Sequence, residues 1–226
     1  MAAIRAARQL VVGLGNPGPD YARTRHNVGF RVVERLAAEA GADFSVTRHE
    51  AAAAMAEVAG VPVILLKPRT FMNRSGPAVA SWLEALALPA SALILIHDDL
   101  DLPLGRLRVT GSAGPGGHRG VISVQAALGT QTFPRVRAGI GRPVEGENAA
   151  ERVLEEFTPE ELPIASEMIG QAASAVRTLV VSGLAATMDR YNGPGPMPRI
   201  LQAEGDTGEP RTAQPQSQEG HTEEGR

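Results

Sequence analysis

Residues 9–30 read Gln-Leu-Val-Val-Gly-Leu-Gly-Asn-Pro-Gly-Pro-Asp-Tyr-Ala-Arg-Thr-Arg-His-Asn-Val-Gly-Phe. Within them a short apolar run, Leu10 to Val12, empties into a Gly/Pro-rich turn that presents Asn16, Tyr21 and then His26. A buried strand ending in a loop that carries an amide and an imidazole is how α/β enzymes display polar groups at strand ends. Gly13 to Gly18 also match the G-x-G-x-x-G dinucleotide fingerprint. In that fingerprint the glycines open straight into a helix, whereas here Pro17, Pro19 and Asp20 lengthen the loop and helical periodicity starts only near His26. Display of Asn16 is the better account, and a nicotinamide-dependent oxidoreductase the weaker one.

Strands and helices continue to alternate downstream. Residues 10–13 read as a buried strand and 28–40 as a helix with Val28, Val32, Val33 and Leu36 on its apolar face. Residues 51–59 and 61–67 read as two strands turned at Gly60, followed by a helix from about 76 to 86. The most apolar strand spans 92–97, which makes it central. Further strands are expected at 104–110 and 136–140, separated by a Gly-rich loop and a helix over 121–128. A helix over 159–182 and a shorter one through 189 complete the pattern. Such alternation predicts an α/β fold with a single mixed, twisted β-sheet covered by helices on both faces. From Gly193 onward the chain turns to Pro, Gly, Gln, Glu and Thr, too polar to offset ordering entropy. The expectation is a folded domain over 1–193 and a disordered tail over 194–226.

Composition narrows the chemistry. The 226 residues contain no cysteine, which excludes thiol catalysis, disulfides and cysteine-ligated zinc. Arg5 and Arg8 precede turn residues at Gly13, too soon for a secretory h-region. No uninterrupted apolar run approaches the roughly 18–20 residues that span a bilayer, so a soluble, cytoplasmic protein without membrane contact is expected. The net charge of −3 hides a segregation. Residues 194–226 hold six acids and three arginines, leaving residues 1–193 balanced at 19 of each sign. No acid falls between Asp101 and Glu145, where Arg106, Arg108, Arg119, Arg135, Arg137 and Arg142 all lie. That block reads either as a phosphate-facing surface or as a solvated charged face.

Three further segments carry polar groups to strand ends. Asp98, within His97-Asp98-Asp99-Leu100-Asp101, ends the central strand where its carboxylate can fix the tautomer of His26. The alternative for this acidic cluster is a metal site, which the lack of a zinc-type spaced histidine disfavours. Phe71-Met72-Asn73-Arg74-Ser75-Gly76 delivers Asn73, either an oxyanion donor or a helix cap, with Phe71 and Met72 either cleft or core. Residues 111–120, rich in glycine, precede a helix and suit the close approach of an anion. No G-x-S-x-G elbow is present, so a serine acyl-enzyme is not expected.

Taken together these segments closely resemble the bacterial-type peptidyl-tRNA hydrolases. Gly-Leu-Gly-Asn-Pro-Gly with Arg-His-Asn, Phe-Met-Asn-x-Ser-Gly, His-Asp-Asp-Leu-Asp-Leu-Pro and Gly-Gly-His-x-Gly occur in that family's order over residues 9–192. The resemblance implies a monomeric, cofactor-free and metal-free enzyme that hydrolyses the ester between a peptide and the 3′-terminal adenosine of tRNA, recycling the tRNA. It implies that His26 is the general base, that Asp98 orients it, and that Asn16 and Asn73 hold the substrate and the tetrahedral intermediate. Tyr21, Phe71 and Met72 match cleft positions. Arg137 matches a basic position associated with the acceptor-end phosphate, and Arg108 and Arg135 lie on the same arginine-bearing strands. Two residues depart from the pattern. Arg119 stands where the family usually has an asparagine that contacts substrate, adding a fixed charge and losing an acceptor. Thr110 stands where many members carry a phosphate clamp, for which Arg108 is the substitute. The alternative is a non-catalytic RNA-binding relative, for which Arg119 is the one argument.

Overall fold

A computed structural model describes residues 7–143 and 146–193, so the expected tail over 194–226 lies outside the described residues. Seven strands form one mixed sheet: β1 (Gln9–Gly13), β2 (Val46–Arg48), β3 (Ala51–Val58), β4 (Val61–Pro68), β5 (Leu93–Asp99), β6 (Leu107–Ser112) and β7 (Thr132–Gly139). Their spatial order is β2-β3-β4-β1-β5-β7-β6. The four middle strands run parallel, while β2, β3 and β6 pair antiparallel at the flanks. The helices are α1 (Val28–Glu39), α2 (Ser75–Leu86), α3 (Arg119–Leu128), the single turn α4 (Ala149–Arg152) and α5 (Leu162–Tyr191).

The two-residue period of a strand builds a core on each face of the sheet. Val11, Ile94 and Ile96 point one way, against Val28, Val32 and Val33 of α1 and Met168, Ala172 and Val176 of α5. Leu10, Val12, Leu93 and Leu95 point the other way, against Val79, Trp82 and Leu83 of α2 and Val121 and Val124 of α3. The continuous apolar runs in β1 and β5 are therefore strands covered on both sides, as expected.

Some boundaries differ from the sequence reading. β7 starts at Thr132, four residues early, and includes Pro134. The proline fits because β6 is irregular between Thr110 and Ser112, so the ladder lacks a regular pairing where Pro134 has no N–H to give. By contrast, the expected division of the C-terminal helix after residue 182 is present within α5, where Gly183 leaves helical geometry at φ 76° and ψ −175°. Among the described residues, α5 is the one helix long and apolar enough by length and composition to cross a membrane. Charges at Glu167, Arg177, Asp189 and Arg190 interrupt it, which is why no unbroken apolar run was legible. Its apolar side is spent on the core, where Ile164, Met168, Ala172, Val176 and Leu179 are buried.

Gly13, the last residue of β1, and Gly29, in the first turn of α1, serve packing. A Cβ on Gly13 would lie 2.1 Å from the carbonyl oxygen of Gly29, and one on Gly29 would lie 2.5 Å from that of Ile96. Only glycine at both places lets the start of α1 sit directly on the ends of β1 and β5. That contact carries His26 to the carboxyl edge of the sheet.

Candidate active site

β1, β4 and β5 are adjacent and parallel, so their carboxyl ends open together where connections leave in opposite directions, the usual crevice of an open α/β sheet. A cavity of about 1040 Å³ lies there, lined among others by Asn16, His26, Asp98, His118, Arg119 and Leu154. Phe71, Met72, Asn73 and Arg74 form another part of its wall. The sequence-derived set Asn16, His26, Phe71, Met72, Asn73, Asp98 and Arg119 thus converges on one cleft. Tyr21 stands behind it, its ring edge-on to Phe71 at 6.4 Å.

His26 occupies a 3₁₀ turn, Arg25–Asn27, that leads into α1. Its Nδ1 lies 2.9 and 3.0 Å from the two carboxylate oxygens of Asp98. An ionised carboxylate only accepts, so Nδ1 donates and the lone pair of the neutral ring is on Nε2. No described residue hydrogen-bonds that Nε2, and the ring lines the cleft. Burial would raise the Asp98 carboxyl, but His26 and His118 overcome it and hold the group well below the usual carboxylate range. The carboxylate form of Asp98 is thus the favoured one in the folded site.

Sequence reasoning missed His118. Its Nε2 lies 3.0 Å from Asp98 Oδ1, and its Nδ1 accepts the backbone N–H groups of Gly120 and Val121 at 3.1 and 3.3 Å. It is both the N-cap of α3 and a second imidazole on the Asp98 carboxylate. The residue was visible in Gly-Gly-His-x-Gly, but nothing in that string shows that the ring turns back toward Asp98. This cap also alters the reading of the glycine loop: the free amides of Gly120 and Val121 in the first turn of α3 are given to His118 and not to an anion. His26, Asp98 and His118 offer ligand atoms within 4.8 Å of one another, close enough for a cation. With His118 Nδ1 accepting, however, the neutral ring carries its proton on Nε2, facing Asp98, and has no lone pair there for a metal.

Asn16 is the better ordered of the two amides. Its backbone N–H donates to Asn27 Oδ1 at 2.8 Å, its carbonyl accepts from Asn27 Nδ2 at 2.9 Å, and its Oδ1 accepts from the Met72 N–H at 2.8 Å. Asn27 is thus a clamp on Asn16 and makes no side-chain cap on α1. What remains of Asn16 is its Nδ2, a donor held at the cleft. Asn73 is exposed and has no side-chain partner among the described residues.

The arginine block divides. Arg135 is 1% exposed, and its guanidinium donates to the carbonyls of Ala113 and Gly114, so it pins the glycine loop and does not reach phosphate. Arg137 pairs with Asp99 at 2.5 Å, and Arg142 with Asp101 at 2.7 Å. Arg108 faces Arg137 across β6 and β7 and is exposed. Arg119, at the first position of α3, is exposed on the cleft wall, as is Arg74. The cationic surface is therefore smaller than six arginines in sequence suggest.

His97 lies beneath the site. Its Nδ1 donates to the Asp98 carbonyl at 2.7 Å, its Nε2 is buried without a partner, and its ring meets His118 edge-on at 4.8 Å. Burial, reinforced by His118, holds it neutral well below the usual imidazole range. Below about pH 6.5 the unfolded chain binds a proton that the native ring excludes. Stability should then fall with acidification by up to about 1.4 kcal/mol per pH unit from this residue. His97→Asn keeps the donor without the titration and should flatten the dependence of Tm on pH between about 6.5 and 5. Parallel slopes for wild type and variant would refute this assignment.

An imidazole–carboxylate pair with an open nitrogen, a fixed amide donor beside it and a crevice at parallel strand ends form the kind of site with which an α/β hydrolase can activate water. The chain belongs to the peptidyl-tRNA hydrolase family, whose model matches residues 10–199. A peptidyl-tRNA hydrolase of Chloroflexus aggregans is 47% identical over 81% of this chain and 98% of its own. One from Mycobacterium ulcerans is 48% identical over 81% and 96%. The crystal structure of the Acinetobacter baumannii peptidyl-tRNA hydrolase superposes with a TM-score of 0.78 at 34% identity, covering 83% of this chain and 96% of that one.

Proposed function

We propose that this protein hydrolyses the ester between the C-terminal carbonyl of a peptide and the 3′-terminal ribose of tRNA, returning prematurely released peptidyl-tRNA to the translation pool. The observation that carries the reading is the pairing of His26 Nδ1 with Asp98 beside the fixed Nδ2 of Asn16, in a member of this family. His26 Nε2 takes a proton from water as the oxygen attacks the ester carbonyl. The tetrahedral oxyanion accepts from Asn16 Nδ2. Collapse expels the ribose oxygen, which receives the proton back from the imidazolium. Asn73 positions the last peptide unit, while Phe71, Met72 and Tyr21 supply apolar surface for the acyl group. Arg108, Arg137 and Arg119 meet phosphates of the acceptor end. The reaction uses no metal, and we place the enzyme in the cytoplasm as a monomer.

The test is release of N-acetyl-amino acid from N-acetyl-aminoacyl-tRNA, without added metal and with chelator present. Turnover under both conditions supports the reading. Tight tRNA binding without turnover would instead identify an RNA-binding relative. Arg119→Asn restores the residue usual in the family. If Arg119 meets phosphate, the variant's tRNA affinity should fall less steeply with salt, the log–log slope decreasing by roughly 0.7–0.9. An unchanged slope would remove Arg119 from the phosphate contacts.

A further inference from the structure

Immediately before His26 lies a charged side chain with no place in the chemistry above. Arg25 is 0% exposed, yet its guanidinium makes one ion pair, Nη2 to Glu161 Oε2 at 2.5 Å. Its Nε and Nη1 are buried with no hydrogen-bond partner, and its Cζ lies 4.7 Å from the ring centre of Phe157. Glu161 is itself held from the same side, by the Thr158 N–H at 2.8 Å and by Arg152 Nη2 at 3.3 Å. All these partners belong to one segment, residues 149–161.

That segment is also bound through the backbone to the turn that carries the imidazole. Arg25 N–H donates to the Glu155 carbonyl at 2.9 Å, and His26 N–H to the Val153 carbonyl at 2.8 Å. Thr24 and Glu156 form an isolated antiparallel bridge. Ala149, Ala150, Val153 and Leu154 of the same segment line the cleft. One strap therefore forms part of the cleft wall and the backing of the His26 turn.

A buried ion pair is seldom more stabilising than apolar side chains of the same volume, because desolvation offsets the attraction. What it supplies is direction: a guanidinium and a carboxylate meet in few geometries, whereas apolar side chains slide. We propose that Arg25 and Glu161 are positioning residues, which fix the His26 turn against the strap so that Nε2 keeps its place over the reacting carbonyl. This rests on His26 being the base.

The discriminating experiment uses full-length protein and measures kcat and KM on N-acetyl-aminoacyl-tRNA, with folding checked by thermal melting. Replacing both partners, Arg25→Met with Glu161→Met, leaves no unpaired charge. The pair should fold and lose about 10- to 100-fold in kcat with KM little changed, as expected for a misplaced catalytic group. Glu161→Gln keeps an acceptor and removes the charge, so a smaller loss of kcat is expected. It decides the matter should the double variant fail to fold. Each change is then repeated in a His26→Ala background, where a residue that acts through His26 has nothing left to position and should cost nothing further. An undiminished kcat in the folded variants would overturn the proposal, as would an equal loss with and without His26. Failure of the underlying reading looks different: His26→Ala alone would turn over at the wild-type rate.

Discussion

His26→Ala should hydrolyse N-acetyl-aminoacyl-tRNA about 10²–10⁴-fold more slowly than wild type, the usual contribution of a positioned general base. Affinity for uncharged tRNA should be unchanged, because the substitution leaves the exposed arginines in place, Arg74 and Arg119 on the cleft wall and Arg108 on β6. Asp98→Asn should lose a comparable factor for a different reason. The carboxylate accepts at once from His26 Nδ1 and His118 Nε2. An amide has one oxygen to offer and turns its NH₂ toward a second ring, so the tautomer that frees His26 Nε2 is no longer enforced. The charge that stabilises the imidazolium also disappears. On the proposed mechanism base and orienting carboxylate act as a unit, so the double variant should be no slower than the slower single variant. Losses that multiply would mean that Asp98 acts independently of His26.

The parts of this site legible in the sequence are those that local pattern controls. β1 and β5 announce themselves because strands covered on both faces must be apolar at every position. Asn16, Asn73 and Asp98 follow because each is a polar side chain at or just beyond the carboxyl end of such a strand, although Arg69 and Thr70 precede Asn73 and His97 precedes Asp98. What could not be read depends on contacts between segments far apart in the chain. His118 meets Asp98 across 20 residues, and Arg25 meets Glu161 across 136. The strap itself carries little periodicity: α4 has four residues, and Val153 and Glu155 accept hydrogen bonds from the His26 turn without forming a regular strand. Arg135 shows the opposite error. It belongs to a run of arginines that looks like a phosphate surface, but its place in β7 directs it inward, where loop carbonyls satisfy it. Charge counted along the chain does not say which side of a strand it falls on.

The same distinction between held and unheld side chains separates the two amides. Asn16 is clamped through both backbone groups by Asn27 and through Oδ1 by the Met72 N–H, so its Nδ2 is aimed before substrate arrives. Preorganised donors of that kind are worth most where charge develops, and losing one costs about 10²–10³ in kcat. Asn16→Ala should show that loss with little change in KM. It also strands the Met72 N–H, so a second substitution is needed to separate scaffold from chemistry. Asn16→Asp keeps the acceptor for Met72 and replaces only the donor, setting a carboxylate against the forming oxyanion. Its kcat should fall at least as far as that of Asn16→Ala while its melting temperature stays nearer the wild type. Asn73→Ala, at an exposed side chain with no partner in the described residues, should act chiefly on KM. Steady-state kcat and KM for the three variants decide the assignment. If Asn16→Asp keeps the wild-type kcat while Asn73→Ala loses it, the oxyanion is held by Asn73, and the network around Asn16 serves only to shape the loop.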